Sequence, residues 1–186
     1  MKVVVDFVAY DLPHKVKALK EFGMSSVHLD KNNYYETSHY VFKPPHPWSE
    51  LPDEFRFSYE EQSKQYGIPW EAGSTPYNDM IPAIVQDLET VTEIYVDSPK
   101  SKVILEDIIG KFKPISILEG LGWSKNDARI PRKTCKVHTG ENNTCAYYTA
   151  RCMGIWFNAR ESLAKIIHSE PTVKMMKHID IDYIFD

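Results

Sequence analysis

Three cysteines are too few, and odd in number, for a disulfide framework. Long apolar runs are also missing: nothing approaches the eighteen or so residues that a membrane span requires, so no membrane association is expected. The opening Met1-Lys2-Val3-Val4-Val5-Asp6 meets a charge after three apolar residues, which reads against a secretory leader. Asn142-Asn143-Thr144 fits the glycosylation acceptor pattern, but with no leader expected it reads as a loop. The expected compartment is intracellular, cytoplasm or nucleus. An excess of positive charge is absent as well. Lys and Arg number 22 against 26 Asp and Glu, a net charge of −4, which argues against an obligate nucleic-acid coat protein. A nuclease is not excluded by that balance, because carboxylates and a local basic patch can coexist. No internal repeat or low-complexity tract interrupts the 186 residues.

What is present is an ordinary globular mixture, 42% hydrophobic and 26% charged, over a length suited to one domain spanning residues 1–186. Val3 to Tyr10 is a β-branched and aromatic run closed by Asp11-Leu12-Pro13, the pattern of a central strand. Val16, Leu19 and Phe22 recur at helical spacing, so residues 15–22 are expected to form one or two helical turns. Ser26 to Asp30 and Tyr34 to Lys43 flank the turn signal Lys31-Asn32-Asn33 and predict a hairpin. Pro44, Pro45, Pro47 and Pro52 make a stiff loop. Helices are expected at Ser58–Tyr66, Tyr77–Leu88, Pro99–Gly110 and Thr144–Ile167, with strands at Glu93–Asp97 and Pro114–Leu118. The tail from Ile179 to Phe185 alternates and could add a strand. A meander followed by right-handed crossovers predicts an α/β fold, a mixed five-stranded sheet with helices on both faces.

Several stretches carry a family resemblance. They are Val5-Asp6-Phe7, then His39-Tyr40-Val41-Phe42-Lys43-Pro44-Pro45-His46-Pro47-Trp48, then Tyr66-Gly67-Ile68-Pro69-Trp70-Glu71-Ala72-Gly73 through Pro76-Tyr77. Ile94-Tyr95-Val96, Cys135-x-x-His138 and Cys145-Ala146 complete the series. Together they resemble the ribonuclease H-like, DEDD-type 3′–5′ exonuclease-related proteins of arthropod genomes and their mobile or viral elements. The resemblance implies a ribonuclease H-like sheet and a catalytic centre of four carboxylates around two Mg²⁺ or Mn²⁺ ions.

Asp6, in the middle of the first strand, matches the first of those acids, and a buried strand aspartate needs a partner in any case. The second acid falls at Val8, which binds no metal. The third falls near Lys100, so Asp97, displaced by three residues, is its substitute. The last falls at about Thr149. Glu21 reads as part of a solvated helix face. His138, just before the last helix, takes the place of an exonuclease general base. One retained acid does not hold two metals, so the implied state is a pseudo-enzyme.

Cys135, His138, Cys145 and Cys152 form a second constellation. Thiolates and imidazole in a short irregular loop suit tetrahedral zinc. Cys145 and Cys152 lie two helical turns apart, about 10 Å, so both cannot ligate one ion. Structural zinc on Cys135, His138 and Cys145 would therefore need a fourth ligand from His168, His178 or an acid; reduced thiols with a capping histidine are the competing reading. Arg129, Arg132 and Lys133, with Lys125 and Lys136, form a basic patch placed for phosphate contacts or merely for solvation.

Three functions stay open on these grounds. The first is a degenerate exonuclease-like module that binds single-stranded nucleic acid or a host protein, of viral or mobile-element origin. The second is an active metal-dependent nuclease using Asp6, Asp97, Glu119 or Asp127. The third is a structural or partner-binding protein with no nucleic-acid role. Oligomeric state is left open by the sequence.

Overall fold

The architecture comes from a computed structural model that describes residues 1–12, 14, 16–111, 113–125, 135–139 and 145–169. It is an α/β fold around a five-stranded mixed sheet. The strands are β1 (Lys2–Asp11), β2 (Lys17–Ser26), β3 (Thr37–Val41), β4 (Glu93–Val96) and β5 (Ile115–Ile117), in the order β3-β2-β1-β4-β5. β1 pairs antiparallel with β2, and β2 with β3. β4 lies parallel to β1 on the other side, and β5 parallel to β4. Parallel neighbours need a long crossover. The chain between β1 and β4 includes the β2–β3 pair, α1 (Asp53–Tyr66) and α2 (Met80–Asp87), and α3 (Pro99–Ile109) links β4 to β5.

Two apolar layers sandwich the sheet, because alternate residues of β1 face opposite ways. Val3 and Val5 join Ile84, Leu88 and Leu105 beneath α2 and α3. Val4 joins Tyr95, Ala150, Met153 and Phe157 beneath the long helix α4 (Ala146–Ser169). Helices thus cover both faces. A third cluster unites Val8 and Tyr10 with Leu51, Tyr59, Ile68 and Trp70. There Trp70 stacks on Tyr59 at 4.5 Å and donates its indole N–H to the His46 carbonyl at 2.9 Å. The proline-rich loop and the Gly-Ile-Pro-Trp segment therefore close a core edge, and Gly67, at φ 67°, ends α1 in the left-handed region that glycine tolerates.

The segment expected as helical turns at 15–22 is strand. Lys17–Ser26 forms the whole of β2, and the hairpin strand expected at Ser26–Asp30 ends where it was to begin. The three-residue spacing of Leu19 and Phe22, both buried, arises from a bulge, whereas Val16 lies outside the strand and is exposed. The register shifts between Val8 and Ala9, so Glu21 opposes Val8 and Leu19 opposes Ala9, leaving Lys20 as the extra residue. Lys20 is turned toward the sheet edge, where its ammonium donates to the carbonyls of Phe42, Trp70 and Ala72 at 2.7, 2.7 and 2.6 Å. Among the described residues, no helix is long and apolar enough to cross a membrane.

Candidate functional site

Among the described residues, the face of the sheet beneath the start of α4 gathers Asp6, Glu21 and Thr149, all buried. Asp6 shares the face of Val4 on β1, and its register partner on β2 is Gly23. A Cβ on Gly23 would stand 2.4 Å from the backbone of Ala146, so only glycine lets the helix N-terminus come down onto the strand. Glu21, two residues earlier, projects on the same side into the space so closed.

Asp6 is almost fully buried, and Lys125 donates to its Oδ2 at 3.3 Å. Burial pushes the Asp6 carboxyl above the usual range, Lys125 pulls it back, and the nearby charge of Asp97 pushes it up again. Lys125 is raised in turn, chiefly by Asp6. Asp97 follows β4 and faces the same side as Tyr95; among the described residues its buried Oδ1 has no hydrogen-bond partner. Thr149 has a single hydroxyl proton within reach of both the Cys145 carbonyl, at 3.1 Å, and Asp6. Lys100, at the start of α3, is exposed.

Glu21 is fully buried on β2, so the expectation of a solvated helix face fails. The alternation that a bulge disturbs gave no sign of which side it would take. Around its Oε1 stand His39 Nε2 at 2.8 Å, Cys145 Sγ at 3.0 Å, His138 Nε2 at 3.1 Å and Cys135 Sγ at 3.9 Å. Its Oε2 accepts the backbone N–H of Ala146 at 2.9 Å, so the carboxylate also caps α4 at the positive end of its dipole. Burial alone would raise this carboxyl, but hydrogen bonds from His138, His39, Ala146 and Cys145 outweigh it and bring it down to about 2. His138 is held from behind by Nδ1, 3.1 Å from the Tyr66 carbonyl. Burial works to lower its pKa, but its contacts with Glu21 and Tyr66 raise it overall. Burial and the Glu21 charge push the Cys145 thiol up.

The structure therefore brings Cys135, His138 and Cys145 together, as the zinc spacing expected, and adds Glu21 and His39. The ligand atoms of Glu21, His39, Cys135 and Cys145 all lie within 4.8 Å of one another. Cys152 stands apart in the core beneath α4, its thiol raised to about 11 by burial. His39 carried no spacing signal, being almost a hundred residues from Cys135, and only the pairing of β3 with β2 opposite Gly23 delivers it. Asp6, Asp97 and His138 share one side of the sheet. Arg129, Arg132 and Lys133 lie outside the described residues, as do Asp127, His178 and the tail from Ile179; nothing is described of the His168 side chain. No known protein-family model matches this chain, and no curated protein proves similar to it.

Proposed function

We propose that the chain is a ribonuclease H-like domain of 3′–5′ exonuclease descent that binds single-stranded nucleic acid without cleaving it. The strand order β3-β2-β1-β4-β5, with an antiparallel meander and two strands added in parallel, supports the scaffold. Support also comes from Asp6 on the central strand and Asp97 after β4 lying on one face, where that ancestry requires its acids.

The observation that carries the loss of cleavage is the pair formed by Asp6 and Lys125. A two-metal centre needs several carboxylates clustered around the ions. Here the ammonium of Lys125 already sits 3.3 Å from Asp6. Val8, the next residue of β1 on that side, is apolar, and Thr149 on α4 offers a hydroxyl in place of a carboxylate. Glu21 is engaged by the imidazoles, the thiols and Ala146. Among the described residues, these groups do not fit a pair of divalent metals. A fixed cation takes the charge-balancing role, and no step of hydrolysis is routed through the site.

Binding is supported by the basic composition of the sequence between two described residues at this face. Lys125 and Cys135 bracket the stretch that carries Arg129, Arg132 and Lys133, and both lie at this face against Asp6 and Glu21. Phosphate contacts from such a stretch would weaken as salt rises. The test is to incubate the full chain with single-stranded DNA and RNA oligonucleotides in Mg²⁺ or Mn²⁺, with anisotropy and gel readouts. Intact oligonucleotides, salt-sensitive binding and weakened binding in an Arg129→Ala, Arg132→Ala, Lys133→Ala variant are expected. Robust degradation abolished by Asp6→Ala would overturn the pseudo-enzyme. Absence of binding would overturn the nucleic-acid role in favour of a protein partner.

A further inference from the structure

Outside the Asp6 centre, one cluster stands out for its chemistry. Two thiols and two imidazoles converge on a single carboxylate oxygen, in a place where Glu21 and the His138 side chain are inaccessible to water. Hydrogen bonds keep the Glu21 carboxylate ionised, but they do not account for the kind of donor gathered around it. One oxygen is crowded by four donors at 2.8–3.9 Å, two of them thiols, which are weak donors. A buried carboxylate surrounded in this way is expensive unless every partner is well satisfied.

The same atoms suit a metal. Zinc bonds sulfur at about 2.3 Å and nitrogen or oxygen at about 2.0–2.2 Å, so the edges of its coordination tetrahedron are about 3.3–3.8 Å. The measured separations are 2.8 Å for Glu21 to His39, 3.0 Å for Glu21 to Cys145, 3.9 Å for Glu21 to Cys135 and 3.9 Å for Cys145 to His39. Each is within about half an ångström of those edges, a difference that small side-chain rotations absorb. The donor set of two sulfurs, one imidazole and one carboxylate is the borderline-soft mixture that favours zinc over magnesium or calcium.

The geometry points to a structural zinc site in which Cys135, Cys145, His39 and Glu21 bind one Zn²⁺ ion. Four protein ligands close the tetrahedron and leave no position for a reacting water, so the site is a clasp. It joins β2, β3, the turn at 135–138 and Cys145, the residue just before α4. That turn is tied in addition to the end of α1, where Thr139 donates its N–H to the Gly67 carbonyl at 2.6 Å. His138 stands behind Glu21 on the same oxygen and lies outside the group of four. The inference is independent of whether the neighbouring face binds nucleic acid.

The test uses the full chain, purified without chelator, for zinc content, then refolded with Co²⁺ as a spectroscopic probe. One equivalent of zinc per chain is expected, with a tetrahedral Co²⁺ visible spectrum and a thiolate charge-transfer band in the near ultraviolet. Cys135→Ser and Cys145→Ser should each lose about half of that band, while Cys152→Ser keeps all of it. His39→Ala and Glu21→Gln should weaken Zn²⁺ binding at least tenfold, and His138→Gln should retain the metal. Protein that carries no metal, gives no Co²⁺ spectrum and exposes three freely titrating thiols on unfolding overturns the site. Loss of metal in His138→Gln with full retention in Glu21→Gln overturns the ligand set.

Discussion

Replacing Lys20 by Met tests a fully buried charge held by three backbone carbonyls. The ammonium is inaccessible to solvent and donates to three carbonyls at 2.6–2.7 Å. Methionine keeps much of the stem's volume but leaves the carbonyls of Phe42, Trp70 and Ala72 without this donor. A buried acceptor deprived of its partner costs about 1–3 kcal/mol, so the gross loss is roughly 3–9 kcal/mol. Against that stands the cost of burying the ammonium. Burial lowers its pKa to about 8 from the ordinary 10.5, with Glu71 opposing, and that drop corresponds to about 3 kcal/mol recovered when the charge is removed. The lost bonds win, and a net destabilisation of about 2–4 kcal/mol at pH 7 is expected. The pH dependence has a definite sign. Between about pH 8 and 10.5 the unfolded chain binds more protons at this lysine than the folded one, so wild-type stability gains with rising pH across that window. Lys20→Met lacks this gain, and its deficit should widen from pH 7 to pH 10. Urea unfolding followed by tryptophan fluorescence at the two pH values measures both quantities. A variant as stable as wild type at pH 7, or a deficit that narrows as pH rises, would refute the reasoning.

Two further outcomes follow from the packing around the candidate site. Gly23→Ala should destabilise the fold by about 1–3 kcal/mol, because its methyl would stand 2.4 Å from the Ala146 backbone and push α4 off β2; thermal melting near wild type would contradict that close approach. Lys125→Met should cost about 1–2 kcal/mol by leaving Asp6 without its cation, a modest figure because the lysine side chain is 41% exposed. Adding Asp6→Asn should restore most of it, and a double variant no better than the single one would show that the pair is not coupled.

The expected elements that proved accurate share a physical basis. Val3 to Tyr10 reads as a central strand because its side chains are apolar on both faces, and it lies between β2 and β4. α3 announces itself through Ser98 and Pro99, a capping serine followed by proline at the first helical position, and the Ser98 hydroxyl accepts the Ser101 N–H at 3.3 Å. β2 was illegible for a specific reason. Its adjacent charges Lys20 and Glu21 look solvated in sequence, and the bulge at Lys20 breaks the two-residue alternation by which strands are recognised.

The sequence by itself determined the α/β succession and the strand at Asp6, and the short spacing of Cys135, His138 and Cys145 offered a cluster as one of two readings, since all of these depend on local periodicity, turn chemistry or short spacing. Only the tertiary structure decided that Glu21 and His39 complete that cluster and that Lys125 neutralises Asp6. These contacts join residues 18 to 125 positions apart. They exist because β2 lies between β1 and β3 and α4 crosses above them, and the chain records no spacing for partners that a sheet brings together from different strands.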